Sequence, residues 1–276
     1  MPAPRRADVL VKAARLYYIE DRSQGEIARE LGLSRSSVSR ILTAAREQGV
    51  VEVRIHDPSA LARVPELEAM LVAAFGIGSA IVVPRRRGES PVDVVAQATA
   101  RLFEERVAGL RSLGLSWGIT VDRFVEQIDL EPIARGLVIC PLVGGLPSEA
   151  GPAGNTSLEV LAAKCGATSF RFESPAVVES HQTWAAMNHE SSIQRAVERA
   201  AGVEIAFVGI GSYGLHNSRR VIAAMHLSQE ETARLSKQQP VGDICGRYYD
   251  LSGRPLGLPS SERVIGISFA QLRDVP

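Results

Sequence analysis

Residues 23–42 constrain the fold of this chain more than any other stretch, because they place two short amphipathic helices around one glycine. Ser23 and Glu26 have the spacing of a capping box, which predicts the start of a first helix. Gly32 then interrupts the apolar pattern, and Ser34 can cap a second helix. A glycine that permits a left-handed turn, between two helices that lock together through apolar residues, is typical of a helix-turn-helix. The alternative is a plain helical hairpin with polar outer residues.

The second predicted helix has one apolar and one polar side. Val38, Ile41, Leu42 and Ala45 face inward, which leaves hydroxyls and guanidinium groups on the outside. Such groups suit phosphates and base edges in a DNA major groove. The candidate DNA contacts on the two helices are Ser23, Gln24, Ser34, Arg35, Ser36, Ser37, Ser39 and Arg40.

Charge supports a nucleic-acid partner only weakly. The 276-residue chain holds 31 Lys and Arg against 31 Asp and Glu, and residues 1–57 hold ten against eight. One copy would therefore bind DNA weakly, whereas a dimer could place two heads on half-sites about one helical turn, or a multiple of it, apart.

Several classes of protein are disfavoured by what the sequence lacks. Cys140, Cys165 and Cys245 are far apart and set among apolar residues, which argues against a disulfide framework and against a paired-cysteine metal site. The five histidines have no metal-ligand spacing. No apolar run approaches the ~18 residues of a membrane span, and the start of the chain lacks the pattern of a signal peptide. We expect a soluble cytoplasmic protein with no metal and no cofactor.

The pattern changes after the turn signal Asp57-Pro58, which predicts a domain over residues 1–57 and another over 58–276. Residues 50–55 alternate like a strand and would form a small wing on the first domain. Strands are predicted over Ala80–Val83, Ser112–Leu115, Leu137–Leu142, Thr168–Phe172, Ile205–Val208 and Val264–Ser268. Helices are predicted over Leu61–Ala74, with Pro65 as an interruption or a late start, and over Val92–Val107, Val121–Ile128, Thr156–Cys165, Ser192–Ala201 and Gln229–Lys237. Alternating strands and helices predict an α/β domain with a mostly parallel sheet covered on both faces.

The loop after the strand Ser112–Leu115 is a candidate anion site. Ser116, Gly118 and Thr120 open a helix directly after that strand. Unpaired backbone amides, hydroxyls and the positive end of a helix dipole can together hold a phosphate. A simple packing turn is the alternative.

The same loop also matches the G-x-S-x-G pattern of a hydrolase nucleophile, centred on Ser116. A hydrolase would need an acid and then a histidine later in the chain, for which Glu204 and either His216 or His226 are the available residues. Nothing in the sequence marks an oxyanion hole, so anion binding is the favoured interpretation.

Two further segments carry candidate ligand contacts. Residues 209–214 satisfy G-x-G-x-x-G after a strand, but residues 215–220 open a helix poorly, so a dinucleotide site is disfavoured and a ligand-lining or structural loop is expected. Asp243 lies in an apolar, glycine-flanked segment, where it would accept hydrogen bonds from ligand hydroxyls or cap a turn. The candidate effector-binding residues are Ser116, Trp117, Gly118, Thr120, Gly211 and Asp243.

Four pieces of the sequence, in this order, resemble the SorC/DeoR-type sugar-binding transcriptional regulators: SQGEIARELGLSRSSVSRIL, SWGIT, VGIGS and VGDICGRYYDLSG. The resemblance covers nearly the whole chain. It implies an N-terminal helix-turn-helix, an effector domain related to glucosamine-phosphate deaminase and ribose-phosphate isomerase, a phosphorylated sugar or polyol as effector, and dimers or tetramers on operator DNA. Carried over, Gly118 and Thr120 would hold the phosphate end, and Asp243 would contact sugar hydroxyls.

Two features depart from the family pattern. Glu204 stands where the family usually has an aspartate in the strand before VGIG. Family members also continue beyond the strand that matches residues 263–268 with a glycine-rich segment, a lysine of the ligand pocket, and a final strand and helix, whereas this chain stops at Pro276. Because a missing strand would expose a sheet edge or apolar surface, we expect reduced solubility or a compensating oligomer contact.

These inferences predict a sequence-specific DNA-binding regulator of carbohydrate metabolism, homodimeric or homotetrameric, that a small phosphorylated sugar or polyol controls. A coupling of about 1–3 kcal/mol, or roughly 5–150-fold in affinity, would suffice for such a switch. One alternative is a sugar-phosphate isomerase or deaminase, in which Asp243 or Glu204 would have to act as the base. The other is a shortened DNA-binding protein that responds to no effector.

Overall fold

The computed structural model describes residues 7–51, 63–128, 136–146 and 156–276. The chain divides into two compact units between residues 61 and 62. The predicted boundary at 57/58 lies outside the described residues, as does most of the predicted wing at 50–55, so both stay predictions.

The first unit is a bundle of three helices, α1 (Ala7–Tyr18), α2 (Gln24–Leu31) and α3 (Arg35–Glu47). Ser23 and Glu26 form the predicted capping box, Gly32 adopts the left-handed conformation after α2, and the Ser34 side chain caps α3. The core is made of apolar side chains from all three helices: Leu10, Ala13, Ala14, Leu16, Ile27, Ala28, Val38, Ile41, Leu42 and Ala45. The predicted helix-turn-helix is therefore present, and the inward-facing residues predicted on its second helix are buried.

The second unit contains nine of the described helices. They are α4 (Pro65–Phe75), α5 (Pro91–Arg106), α6 (Ile119–Gln127), α7 (Thr156–Cys165), α8 (His181–His189), α9 (Ser191–Ala201), α10 (His216–Ala224), α11 (Gln229–Lys237) and α12 (Phe269–Arg273). Pro65 is the first residue of α4, the position where its missing N–H costs nothing, so the late start was the right alternative. Among the described residues, no helix is both long and apolar enough to cross a membrane.

The strands of this unit form two sheets. They are β1 (Ser112–Leu115), β2 (Val138–Pro141), β3 (Thr168–Ser169), β4 (Ala206–Phe207), β5 (Gly211–Ser212), β6 (Gly242–Ile244) and β7 (Arg247–Tyr249). The first four pair in parallel in the order β3-β2-β1-β4, which confirms the predicted parallel sheet. The last three form an antiparallel sheet in the order β5-β6-β7.

Both faces of the parallel sheet are covered, as predicted. On one face Phe103 of α5 and Phe124 of α6 pack with Phe207 of β4, with ring centroids 5.2–5.8 Å apart. On the other face the core includes Ala200 of α9 and Val221 of α10. Alternate strand residues feed the two cores, because successive side chains of a strand point to opposite faces.

Two predicted strands do not form. The segment Ala80–Val83 belongs to neither sheet and bonds instead to the start of α4, through Val64 N–H to Val82 O at 2.9 Å. The segment Val264–Ser268 is buried between two loops and makes single antiparallel bridges, Val264 with Val177 and Gly266 with Val143. Each apolar run was correctly located, but neither has a neighbouring strand to extend a ladder among the described residues.

Candidate functional site

The outer face of α3 carries the predicted DNA contacts. Arg35, Ser36, Ser39 and Arg40 are exposed, and they follow one another at i, i+1, i+4 and i+5, so they share one side of the helix. Val38 and Ile41 hold the opposite side in the core. The helix is therefore fixed by its apolar side and presents guanidinium and hydroxyl groups outward.

The two arginines of this face have no carboxylate partner among the described residues, whereas Arg22, before α2, has two. Arg22 pairs with Glu30 at 2.6 Å and with Glu20 at 3.0 Å. Arg40 Nε donates only to the carbonyl of Ser36, at 3.4 Å. Arg35 and Arg40 are consequently available to a phosphate or a base edge, and they are the arginines that lie on this face of α3.

The serines that begin the two helices are engaged in caps. The Ser23 hydroxyl donates to Glu26 Oε2 at 2.7 Å, and the Ser34 hydroxyl accepts from the Ser37 amide at 3.2 Å. The hydrogen bonds from the side chain and the amide of Ser23 hold the pKa of the Glu26 carboxyl below its usual value, with the Ser23 side chain as the largest cause. Gln24, the first residue of α2, is half-buried beside this cap.

The candidate anion loop lies beside the glycine loop because β1 and β4 pair in parallel. Leu115 stands opposite Phe207 at the carboxyl ends of these strands, so the loops that follow emerge side by side. The Gly209 amide donates to Ser116 Oγ at 3.2 Å and thereby fastens one loop to the other. Ligands of parallel α/β sheets bind at this edge.

Gly118 sets the direction in which α6 begins. It stands at the N-cap with φ 145° and ψ 155°, a conformation that an L side chain rarely adopts, and no side chain caps the helix. The Trp117 indole donates to the Gly144 carbonyl at 3.0 Å and fixes the residue before the turn. The first amides of α6 are thus left without a capping side chain, at the positive end of the helix.

A cavity of about 260 Å³ lies at this edge of the sheet. Five of the six predicted effector-binding residues line it, namely Trp117, Gly118, Thr120, Gly211 and Asp243. The sixth, Ser116, is buried behind the wall, where its hydroxyl accepts from the Gly209 amide instead of facing the cavity. The structure therefore places Ser116 as a support of the loops.

Asp243 offers a carboxylate that is only partly satisfied. Its Oδ2 accepts from the Gly246 amide at 3.2 Å, whereas Oδ1 has no hydrogen-bond partner among the described residues. Burial raises the pKa of this carboxyl; the nearby Ser218 hydroxyl opposes the rise, although it does not reach hydrogen-bonding geometry. Oδ1 lies so close to the Cα of Gly211 that a side chain there would collide with it. The position of the Asp243 carboxylate therefore requires a glycine at residue 211.

Sequence reasoning missed the contribution of α10. Its first residues His216, Asn217 and Ser218 line the same cavity, and no side chain caps this helix either. The interpretation that residues 215–220 open a helix poorly was wrong, since α10 begins at His216. Val221 and Met225, both fully buried and four residues apart, were the helical signal that could have found it.

The hydrolase alternative fails on geometry. Glu204 lies before β4, at the amino end of the sheet, and Ser116 lies at the carboxyl end. Two hydrogen bonds from Arg111, the backbone one having the larger effect, hold the pKa of Glu204 below its usual value. An acid at the opposite end of the strands cannot orient a histidine for Ser116.

The cavity has no described amine for Schiff-base chemistry. Lys164 instead donates to three carbonyls at the end of α6, those of Val125, Glu126 and Ile128, at 2.7–3.0 Å. Within the described ranges, no group of three or more His, Cys, Asp or Glu side chains could hold a metal ion.

Family comparison assigns both units. A family model for a sugar-binding domain matches residues 60–276, and one for a Crp-like helix-turn-helix domain matches residues 7–64. The first match covers most of the chain. The chain belongs to the sugar-binding regulator family.

Relatives of this regulator agree with that assignment. The sorbitol operon regulator of Klebsiella pneumoniae is 30% identical over 271 residues, which cover 96% of this chain and 84% of that protein. The deoxyribonucleoside regulator of Bacillus subtilis (strain 168) is 28% identical over 266 residues, covering 95% and 83%.

Solved structures give the same answer for the fold. The full-length sorbitol operon regulator SorC from Klebsiella pneumoniae matches with a TM-score of 0.68 and 29% identity, over 98% of this chain and 87% of that chain. A DeoR family transcriptional regulator from Listeria monocytogenes also matches with a TM-score of 0.68, at 27% identity over 77% and 83%. The predicted SorC/DeoR resemblance is confirmed, and this chain is a DNA-binding transcriptional regulator with a sugar-binding domain.

Proposed function

We propose that this regulator changes its affinity for operator DNA when a small phosphorylated sugar or polyol occupies the 260 Å³ cavity. One observation carries the proposal: the uncapped starts of α6 and α10 and a buried carboxylate line the same cavity. Amides at helix N-termini bind anions, and a carboxylate accepts hydrogen bonds from hydroxyls. A molecule with a phosphate at one end and hydroxyls at the other satisfies both.

Each of the five predicted residues that line the cavity has a proposed role. Gly118 and Thr120 hold the phosphate, because they begin α6. Asp243 accepts from a ligand hydroxyl through Oδ1, the oxygen that has no described partner. Gly211 leaves room for that carboxylate, and Trp117 fixes the turn before Gly118.

The proposed DNA contacts are the eight residues of α2, α3 and their caps that the sequence predicted. The exposed face with Arg35 and Arg40 enters the major groove, and the serines at the helix starts approach phosphates. We further propose that the regulator acts as a homodimer or homotetramer in the cytoplasm, since two heads on one operator would compensate for the low net charge of each.

The effector is tested by thermal shift. The names of the two relatives mention sorbitol and deoxyribonucleosides. Because the proposed site holds a phosphate, sorbitol 6-phosphate and 2-deoxyribose 5-phosphate are the first probes, with unphosphorylated sorbitol as the control. Wild type should melt higher with a phosphorylated probe, and Gly118→Asp should not, because its carboxylate opposes the phosphate. Gly118→Ala is the matched variant for the backbone strain at this φ, since it adds a side chain without charge. Equal shifts in wild type and Gly118→Asp would refute the phosphate site.

The DNA interface is tested by gel shift on duplexes from the regulator's own chromosomal neighbourhood. Arg35→Ala and Arg40→Ala should abolish selective binding, because each removes an exposed guanidinium that has no carboxylate partner among the described residues; a loss of about 1–3 kcal/mol per contact is expected. Arg273→Ala, an exposed arginine of α12, is the control for charge alone. Unchanged selectivity would refute the assignment of α3 as the recognition helix.

The two alternatives have their own signatures. Turnover of a bound sugar phosphate, measured as product formed, would support the isomerase or deaminase. Operator binding that no sugar phosphate changes, together with no thermal shift, would support a regulator that lacks an effector.

A further inference from the structure

Helix α4 and the segment that follows it carry six exposed large apolar side chains within 15 residues. Not one residue of α4 is buried, and Glu66 and Glu68 are its only charged residues. Phe75 is 71% exposed and Met70 is 65% exposed. The exposed apolar side chains of this region, here called the α4 patch, are Leu67, Met70, Leu71, Phe75, Ile77 and Ile81. A helix that is apolar on nearly all sides is normally buried.

The region is ordered by contacts within itself. The Val82 amide donates to Glu68 Oε1 at 2.9 Å, and the Val82 carbonyl accepts from the Val64 amide at 2.9 Å. Arg63 closes the arrangement by donating to both carboxylate oxygens of Glu68 at 2.7–2.8 Å. The segment is therefore fixed along α4, so its exposed surface is not that of a loose tail.

This arrangement leaves one backbone edge open. Residues 79–86 run without a turn or bend, and in such a chain successive residues direct their N–H and C=O groups to opposite sides. Val82 directs both groups toward α4, so Ile81 and Val83 direct theirs away. Among the described residues, the backbone groups of Ile81 and Val83 have no hydrogen-bond partner. An open strand edge beside an apolar helix is a template for pairing with another chain.

We propose that a second copy of this chain covers the α4 patch, with the two segments 79–83 paired antiparallel about a two-fold axis and the two α4 helices packed beside them. A two-fold axis lets one surface satisfy its own complement, because each open edge supplies the donors and acceptors that the other lacks. The proposal deepens the proposed homo-oligomer by naming its surface, and it does not depend on the effector.

The size of the patch fits this occupant. Six side chains of roughly 150–200 Å² each, about half exposed, offer about 500 Å² per copy. Two copies would bury about 1,000 Å², which reaches the lower limit for a specific interface. The largest apolar patch of a typical monomer is about 300–600 Å² and is often functional.

The charges also favour a second copy over an unlike partner. A two-fold contact brings the same surface to both sides, so a net charge on that surface would face the same net charge on the second copy, and a nearly neutral surface is favoured. The carboxylate of Glu68 is already paired with Arg63, which leaves Glu66, at the amino end of α4, as the charge of this helix with no ion pair among the described residues. Antiparallel helices would place that end away from its counterpart and would align the helix dipoles favourably.

Sedimentation velocity of the full chain tests the interface. Wild type should sediment as a dimer or a tetramer at micromolar concentration, and Phe75→Asp and Met70→Asp should each weaken association at least 100-fold, because a carboxylate would be buried twice. Both side chains are exposed in the single chain, so the monomers of these variants should unfold at the same temperature as the wild-type monomer. Leu251→Asp introduces the same charge at an 89% exposed residue outside the patch and should leave the mass unchanged.

A second measurement addresses the strand edge. Amide hydrogen exchange at Ile81 and Val83 should slow as protein concentration rises in wild type and should stay fast in Phe75→Asp. A monomeric wild type would overturn the proposal, as would an oligomer that neither variant disrupts. A variant carrying the additional C-terminal residues of the longer sorbitol operon regulator is the rival test: a monomer with Ile81 and Val83 protected would show that such an extension, and not a second copy, covers the patch. The thermal shift with sorbitol 6-phosphate remains a separate readout, so a failed interface would leave the proposed effector site untouched.

Discussion

The three-helix head and the sheet unit are stabilised by different kinds of contact. In the head, the main signals act within a few residues of sequence: the Ser23 capping box, the left-handed Gly32 and the Ser34 cap. In the sheet unit, the decisive contacts join distant segments, as where the backbone at Gly144 lies against the carbonyls of Ser174 and Pro175. The head is therefore stabilised by local interactions that each contribute a modest free energy, whereas the sheet unit depends on backbone contacts that leave no room for one more atom.

The largest expected effect is at such a close approach. Gly144→Ala should destabilise the sheet unit by at least about 3 kcal/mol, because its Cβ would overlap two backbone carbonyls that cannot rotate away. Chemical denaturation followed by tryptophan fluorescence reports this unit, since Trp117 and Trp184 both lie in it. Gly202→Ala, whose Cβ would make only ordinary contacts, is the control and should change stability by less than about 0.5 kcal/mol. A Gly144→Ala variant that loses little free energy of unfolding would contradict this difference between the two regions.

A smaller effect compares the same local device in both regions. Ser23 begins α2 and Ser228 begins α11 with capping boxes of the same kind. Ser23→Ala and Ser228→Ala should each cost about 1 kcal/mol, because each leaves a helix amide without its acceptor. Hydrogen exchange should rise throughout the head in the first variant, since its core is small, and only within α11 in the second. Ser23→Thr and Ser228→Thr keep the hydroxyl, and with it the acceptor, and serve as controls; widespread exchange in Ser228→Ala would contradict the comparison.

The smallest effect depends on pH and concerns the sheet unit alone. Burial raises the pKa of Asp243 above the value of about 3.9 expected in the unfolded chain. A raised carboxyl pKa means that folding favours the protonated form, so the contribution of this group to the free energy of unfolding falls as pH rises through the folded pKa. Asp243→Asn should therefore be more stable than wild type at pH 8 without ligand, by up to about 1 kcal/mol, and the difference should vanish below about pH 4.

Thermal unfolding at a series of pH values checks this sign. Wild type exceeding Asp243→Asn in stability at pH 8 would mean that the hydrogen bond from the Gly246 amide to Oδ2 outweighs the cost of burying the charge. That result would make Asp243 a structural residue first and a ligand contact second.

The sequence was most informative where structure is local. The helix-turn-helix, its caps and the inward-facing residues of α3 were predicted from the spacing of residues, and β1, α7 and α11 have their predicted bounds. Apolar runs also located the parallel sheet, because buried parallel strands are almost continuously apolar.

The sequence was least informative where pairing decides the structure. Residues 80–83 have the composition of a strand, but a strand needs a neighbour, and the described chain offers only the start of α4. The antiparallel sheet of β5, β6 and β7 was missed because its strands are two or three residues long and contain glycine and charged residues. Such strands exist through their partners, and single-sequence patterns do not show partners.

The candidate site was predicted in part for the same reason. Gly118 and Asp243 were found because a glycine at a strand-to-helix junction and an acid among apolar residues are unusual in sequence. Ser218 was not found, because a serine four residues after a glycine is common, and only the pairing of β5 with β6 brings Asp243 near it. Ser116 was assigned to the ligand because sequence does not reveal which way its hydroxyl points.

The three hydrogen bonds from Lys164 to the carbonyls at the end of α6 have a mechanical consequence. All three hydrogens of its ammonium are donated to these carbonyls, so the carboxyl end of α6 is held against α7 while its amino end lines the proposed effector cavity. Because α6 is held at its carboxyl end, a displacement of its amino end would move the helix as a rigid body without unwinding it. Acetylation of Lys164 would break this attachment between α6 and α7, and the amides beside Gly118 would change their orientation.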